Sequence, residues 1–170
     1  MTQSIEEYKW YAIYTNPRAE KAVAKTLSAK GFDVYLPLYT TIKQWSDRKK
    51  KVEEPLFKSY LFVHINYEKM HSELLNTPGI VKFVRTGKEP TSIRPQIIEA
   101  IKISLMHFED IETTSENLKL NQKVEVIAGP LKGMEGVIAE QFGNKYFAIN
   151  IEQLGTHILL KVPANYLNPL

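Results

Sequence analysis

Residues 54–66 read Glu-Pro-Leu-Phe-Lys-Ser-Tyr-Leu-Phe-Val-His-Ile-Asn and contain the strongest strand signal of the chain. From Tyr60 to Ile65 the side chains are aromatic or aliphatic with no turn residue, a pattern typical of a strand buried on both faces. Alternation gives an aliphatic face of Leu61, Val63 and Ile65 and an aromatic face of Tyr60, Phe62 and His64. We expect helices to pack on the aliphatic face, while the aromatic face is either core or a docking surface.

The charge of the chain is unevenly distributed along its 170 residues, which suffice for one medium domain or two small ones. Residues 1–108 contain 17 Lys and Arg residues and 11 Asp and Glu residues. The corresponding numbers are 0 and 4 for residues 109–117, and 5 and 4 for residues 118–170. The three segments carry +6, −4 and +1, which sum to the net charge of +3. We therefore expect a polyanion to bind the first segment.

The composition also bears on location. Cysteine is absent, so disulfides are excluded and a reducing compartment is allowed. The N-terminal residues Met-Thr-Gln-Ser-Ile-Glu-Glu are polar and acidic, unlike a signal peptide, and no apolar run is long enough to span a bilayer. We expect a cytoplasmic protein that does not contact membranes.

Signatures of catalysis are missing from the sequence. The histidines, whose spacing fits no metal site, are His64, His71, His107 and His157. The glycines between residues 129 and 136 lack the following Lys-Ser or Lys-Thr of a phosphate loop, and no nucleophile motif is present. The sequence therefore predicts no catalytic residue, metal or cofactor, and it favours a binding protein over an enzyme.

The first half predicts alternating strands and helices. Residues 9–15 have strand composition, Asn16 and Pro17 predict the start of a helix, and Gly31 predicts its left-handed end. Further strands are predicted over 32–41, 60–65 and 80–85, and further helices over 67–76 and 94–108. This order is that of an α+β sandwich with a mainly antiparallel sheet and flanking helices.

Two groups of basic residues are candidates for nucleic-acid binding. The first is a stripe on the first helix, formed by Arg18, Lys21 and Lys25. The second lies at the tip of a predicted hairpin, beside Trp45, and comprises Arg48, Lys49, Lys50 and Lys51. Cationic side chains pair with phosphates and an exposed aromatic ring stacks on bases. A solvated helix face and a merely soluble loop tip remain the alternatives.

The amino-acid composition and the hydrophobic pattern change after residue 108. Residues 109–117 are acidic and rich in Thr and Ser, which predicts a linker. Beyond them, short alternating segments punctuated by glycines predict a small β-barrel. The predicted organisation is an α+β domain over 8–109, a linker over 110–117 and a barrel over 118–170.

Two sets of motifs lie in order along the chain. The first is Trp10-Tyr-Ala-Ile-Tyr14, Glu20, Tyr35-Leu-Pro37, Pro55-Leu-Phe57, Tyr60-Leu-Phe-Val63 and Gly79-Ile-Val-Lys-Phe-Val84; the second is Lys123 to Val137, with Gly136 at the glycine of a KOW motif. Together they resemble the NusG family of transcription elongation factors, and the Glu-Pro-Leu-Phe and Tyr-Leu-Phe-Val wording resembles its specialised antiterminators of the RfaH and UpxY type. The resemblance implies a NusG N-terminal domain followed by a KOW (SH3-like) barrel.

The resemblance also implies a function, namely docking on the clamp helices of RNA polymerase to suppress pausing or termination, at specific operons in the specialised members. By motif position, the aromatics that meet the clamp helices are matched by Tyr14 and Phe57, and Phe83 lies near them. A segment that meets the opposite side of the polymerase cleft is matched by His71 and Ser72. The helix stripe lies where those members meet non-template DNA; nascent RNA is the other nucleic acid within reach. For the three aromatics, ordinary core packing is the alternative.

The second half carries its own expectations. The resemblance places Leu154 in the loop through which relatives bind a ribosomal protein or the Rho terminator. Because the segment is dense in Val, Ile, Tyr and Phe, we expect a barrel rather than the helical hairpin that RfaH adopts. Two other functions stay open, a general NusG-like elongation factor and a KOW-type protein that binds RNA or the ribosome.

Overall fold

The computed structural model describes residues 7–170, so most of the N-terminal stretch judged unlike a signal peptide lies outside it. The described chain divides into two compact units, the first ending at Pro95 and the second beginning at Gln96. The fold is α+β, as predicted, and its paired strands are antiparallel.

The first unit is a sheet with two helices and two separate hairpins. Its elements are β1 (Lys9–Thr15), α1 (Glu20–Ala29), β2 (Asp33–Tyr35), β3 (Leu38–Gln44), β4 (Lys49–Pro55), β5 (Tyr60–Ile65), α2 (Tyr67–Leu75), β6 (Ile80–Phe83), β7 (Arg85–Thr86), β8 (Glu89–Pro90) and β9 (Ser92–Ile93). The main sheet has the order β2-β5-β1-β6, and β9 also pairs with β1. Strands β3 and β4 form one hairpin and β7 and β8 another.

Strand β5 has the predicted bounds and lies in the middle of this unit. Its aliphatic side chains have no exposed surface and share a core with Val23 and Leu27 of α1 and Leu74 of α2. Each such side chain contributes roughly 1.5–3 kcal/mol of burial free energy. The aliphatic face therefore packs against the helices, as predicted. On the other face only Phe62 is fully buried, so the strand is not covered equally on both sides.

Helix α1 begins later than the sequence predicts. Its N-cap is Ala19, which makes no side-chain capping bond, so Asn16 and Pro17 do not start the helix. The Ala19 N–H instead donates to the Asn16 carbonyl oxygen at 3.1 Å, and Arg18 between them has a φ of 65°. A local turn thus takes the place of the first helical turn. At the other end, Gly31 has the predicted left-handed φ, at 86°.

The strand predicted over residues 32–41 is broken at Pro37, which cannot donate to a sheet ladder. Strand β2 pairs with β5, whereas β3 pairs with β4. The Pro37 carbonyl accepts a hydrogen bond from the Leu56 N–H at 2.9 Å, at the base of the hairpin. The β3–β4 hairpin is therefore a separate two-stranded sheet.

The second unit is mostly β. It contains α3 (Pro95–His107) except for its first residue, and the strands β10 (Glu112–Thr114), β11 (Lys119–Val126), β12 (Glu135–Gln141), β13 (Asn144–Ile151), β14 (Thr156–Leu160) and β15 (Leu167–Pro169). The strands form one sheet in the order β10-β14-β13-β12-β11-β15, which confirms the predicted β-rich C-terminal fold.

Part of the predicted linker is a strand. Residues 112–114 of β10 pair with β14, from Glu112 opposite Leu159 to Thr114 opposite His157. A sheet edge offers unpaired backbone groups, and these polar residues satisfy them without contributing apolar side chains. Residues 110–117 are thus not wholly a linker, while the limits 8–109 and 118–170 stay predictions.

Candidate functional site

Tyr14 and Tyr60 lie side by side on the aromatic face of the main sheet. They are register partners on β1 and β5, and their ring centroids are 5.4 Å apart. Both side chains are half-buried, so each ring is packed on one side and accessible on another. The pair therefore forms an ordered, accessible apolar surface of the kind that anchors protein interfaces.

Phe57 packs against Phe62, which lies on the same face of β5 as Tyr60. Its ring meets that of Phe62 edge to face, with centroids 6.0 Å apart and an interplanar angle of 87°. Phe57 is only 5% exposed and Phe62 is fully buried. The structure thus places Phe57 beside the Tyr14–Tyr60 surface as a buried support rather than as an exposed contact.

Glu20 of α1 fixes the loop that carries Phe57, a role that the sequence analysis did not assign. Its Oε1 accepts a hydrogen bond from the Ser59 N–H at 2.7 Å, and Ser59 has a φ of 66°. The Ser59 carbonyl in turn accepts from the Thr15 N–H at 2.8 Å. Glu20 is 6% exposed and shares the buried side of α1 with Val23 and Leu27. A glutamate at helical spacing with these apolar residues was the available signal.

Phe83 lies on the opposite face of the sheet, so its grouping with Tyr14 and Phe57 is corrected. It is the register partner of Ile13, whereas Tyr14 pairs with Lys82. Phe83 is 1% exposed and its ring packs edge to face against Tyr67 at 5.1 Å, within the core beneath the helices. Phe83 is therefore an ordinary core residue, which was the alternative to a role in docking.

His71 and Ser72 lie on α2, which begins at the N-cap Asn66. The His71 ring stacks on Tyr67 with centroids 4.7 Å apart, and its Nδ1 lies 2.7 Å from the Tyr67 carbonyl oxygen. Because that oxygen can only accept, Nδ1 is the donor in this contact, and Nε2 lies 3.4 Å from Ser72 Oγ. Ser72 is exposed and His71 half-buried, so both can reach a partner.

Of the predicted basic stripe, Lys21 and Lys25 lie on α1, whereas Arg18 lies in the turn before the helix. The stripe borders a groove of about 480 Å³. Arg18 and Lys21 line it, and the Lys21 ammonium donates to the Glu53 carbonyl oxygen at 2.6 Å. On the far wall Lys43 pairs with Glu54, and the hydrogen bond from Lys43 lowers the pKa of the Glu54 carboxyl. Lys25, the third member of the stripe, is exposed and does not line the groove.

The hairpin basic residues are all exposed, but they do not share one face. Lys50 lies opposite Lys43, while Lys49 and Lys51 lie opposite Gln44 and Ile42 and so point to the other side. Like charges directly opposite each other on two strands are unfavourable. Arg48 closes the tip, where its carbonyl accepts from the Trp45 N–H at 2.7 Å, and Trp45 is 54% exposed. The hairpin thus offers charge to both sides and an aromatic ring at its end.

Comparison with known proteins decides the family. A family model described as transcription termination factor NusG matches residues 8–102. The chain belongs to the NusG family. It is 25% identical over 150 residues to the transcription termination/antitermination protein NusG of Thermus thermophilus, covering 78% of this chain and 82% of the relative. It is 27% identical over 143 residues to the Streptococcus pyogenes protein of the same name, covering 79% of each.

The fold agrees with this assignment. A solved structure described as domain interaction in Thermotoga maritima NusG matches 95% of this chain and 96% of its own, with a TM-score of 0.55 and 22% sequence identity. The chain is therefore a NusG-like transcription termination/antitermination factor, a class of transcription factors rather than enzymes.

In the second unit of this NusG-family chain, Gly136 is held by close packing. A Cβ there would lie 2.5 Å from Phe147 Cε2 and 2.7 Å from the Ala148 carbonyl oxygen. Leu154 ends a short 3-10 turn between β13 and β14 and is half-buried, and Gly155 follows with a φ of 60°. Gly136 is thus a packing residue, and Leu154 lies in an accessible loop.

Residues 7–170 contain neither a candidate metal site nor a candidate membrane-spanning helix. No group of three or more His, Cys, Asp or Glu residues there could hold a metal ion. In the same part of the chain no helix is long and apolar enough to cross a membrane.

Proposed function

We propose that this NusG-family factor docks on the clamp helices of RNA polymerase through the Tyr14–Tyr60 surface and suppresses pausing or termination. The observation that carries the proposal is the pairing of these two half-exposed rings, at 5.4 Å, on a sheet whose other face packs Ile13, Leu61 and Phe83 into the core. Binding energy concentrates in aromatic residues held on a rigid support. Phe57 and Glu20 supply that support, and His71 and Ser72 would meet the opposite side of the polymerase cleft.

The proposed nucleic-acid contacts are to non-template DNA or nascent RNA. The Lys21 bond to the Glu53 carbonyl joins α1 to the base of the β3–β4 hairpin. Arg18, Lys21 and Lys25 would therefore act together with Arg48 to Lys51 of the hairpin. Lysines at exposed positions give salt-dependent affinity, with a slope of about −0.7 per phosphate neutralised on single strands.

We place the factor among the specialised, operon-targeted members, with residues 8–109 as the polymerase-binding domain and 118–170 as the KOW domain. The accessible Leu154 loop is the proposed site for a ribosomal protein or Rho. The Glu-Pro-Leu-Phe segment of residues 54–57 and the Tyr-Leu-Phe-Val segment of residues 60–63 favour a specialised member. A general NusG-like factor would act on templates without a recruiting element, and this difference separates the two.

The test is the affinity of the chain for an elongation complex of its host's polymerase. Tyr14→Ala should weaken binding by roughly 10-fold or more, as expected for an aromatic anchor. Phe83→Leu is the matched control, because it loosens the core without touching the docking surface. Equal losses in both variants would show that stability rather than contact is measured, and the docking proposal would fail.

A further inference from the structure

A lysine on the neighbouring strand lies next to the Tyr14–Tyr60 surface. Lys82 of β6 is the register partner of Tyr14, just as Tyr60 is its partner on β5. Directly opposite residues on neighbouring strands share a face and lie about 4.5–5.5 Å apart at Cα. Tyr60, Tyr14 and Lys82 therefore form one row across three strands, with the cation at the edge of the sheet.

Lys82 has no internal charge partner in the described part of the chain. It is exposed, and no carboxylate of residues 7–170 lies within ion-pair distance of its ammonium group. At the other end of the same face, His64 Nδ1 lies 3.3 Å from Asp33 Oδ2, so that carboxylate has a polar neighbour within the first unit. The free charge of the row is thus confined to the side of β6.

We infer that Lys82 forms an ion pair with a carboxylate on the partner helix that docks against Tyr14 and Tyr60. This inference rests on the docking function proposed above and adds the chemistry of the partner. The partner surface would be apolar where it meets the two rings and acidic where it meets β6. A charge at the rim of an interface contributes mainly to the association rate and to the orientation of docking.

The experiment measures association rates of wild type, Lys82→Glu and Lys82→Arg with two probes, core RNA polymerase free of nucleic acid and an assembled elongation complex. Lys82→Glu should slow association roughly 3- to 10-fold at low salt with both probes, and the difference should shrink as salt is raised. Lys82→Arg should associate like wild type. Lys88→Glu is the control, an exposed lysine outside the row.

Each outcome separates the two proposals. If wild type binds and Lys82→Glu associates as fast as Lys88→Glu, the inference about Lys82 is overturned while the docking function stands. An effect of Lys82→Glu seen only with the elongation complex would assign the lysine to a phosphate and likewise overturn the inference. If wild type binds neither probe, both the docking function and the role of Lys82 are overturned.

Discussion

Gly136 lies so close to the ring of Phe147 that a Cβ at this glycine would be 2.5 Å from Cε2. Phe147 is 1% exposed and cannot move aside, and the Ala148 carbonyl oxygen blocks a second direction at 2.7 Å. The glycine at position 136 is therefore explained by the lack of space for a side chain, since its φ is not among the positive values.

Gly136→Ala should destabilise the second unit by roughly 1–3 kcal/mol, the range for overpacked cores. Urea unfolding followed through amide signals of β12 and β13 measures this. Gly133→Asn is the control, because nothing lies within 4 Å of a Cβ there and asparagine tolerates its φ of 88°. A Gly136→Ala chain as stable as wild type would contradict the packing account.

Phe142 occupies an unfavourable position at the turn between β12 and β13. It is 89% exposed with a φ of 50°, and Gly143 follows with a φ of 78°. A two-residue hairpin turn with both φ values positive prefers Asn-Gly. Phe142→Asn should therefore raise the free energy of unfolding by roughly 0.5–1 kcal/mol, a part of the roughly 1–2 kcal/mol that the left-handed conformation costs most L-residues. Thermal unfolding at a lower temperature than wild type would refute this.

His157 predicts that the second unit loses stability in acid. Its Nδ1 is buried without a hydrogen-bond partner among the described residues, and burial lowers the pKa of the ring from its ordinary 6.5. As pH falls through that value the unfolded chain binds a proton that the folded chain does not, so unfolding becomes easier. The loss levels off below the folded-state pKa.

The measurement is urea unfolding of the second unit between pH 7.5 and pH 5. Wild type should lose stability across this interval, and His157→Asn should show a shallower slope at whatever absolute stability it has. The comparison therefore uses the slope alone, which a purely structural effect of the substitution would leave unchanged. Parallel slopes would count against a neutral His157.

Glu20 links the core of the first unit to polymerase docking. Glu20→Ala should destabilise this unit by roughly 1–3 kcal/mol, because the Ser59 N–H loses its acceptor. Glu20→Gln keeps an oxygen at the same place and should retain most of that stability. Binding to polymerase should fall with Glu20→Ala, since the Phe57 loop is released, and recover with Glu20→Gln. Unfolding monitored by Trp10 fluorescence in a Trp45→Phe background, measured beside binding, distinguishes the loss of stability from the loss of binding.

The prediction of β5 and of the α+β order succeeded because local composition and burial agree there. Alternation along one strand separates its two faces, and Leu61, Val63 and Ile65 are buried as expected. Phe83 was misplaced because its face depends on the register between β6 and β1, which local sequence does not specify. The prediction that the helix starts at Asn16 was wrong for a similar reason. Glu20 is buried and bonds to Ser59, which lies far along the chain, and local sequence does not specify this contact.

The central claim is that Tyr14 touches the clamp helices of RNA polymerase. A photo-cross-linking phenylalanine analogue at position 14 keeps an aromatic ring in the half-buried site, and the same analogue at exposed position 142 serves as the control. After irradiation of an elongation complex from the host, the account predicts a cross-link from position 14 to the clamp helices and none there from position 142. A cross-link from position 14 to another part of the polymerase, or to none of it, would contradict the account.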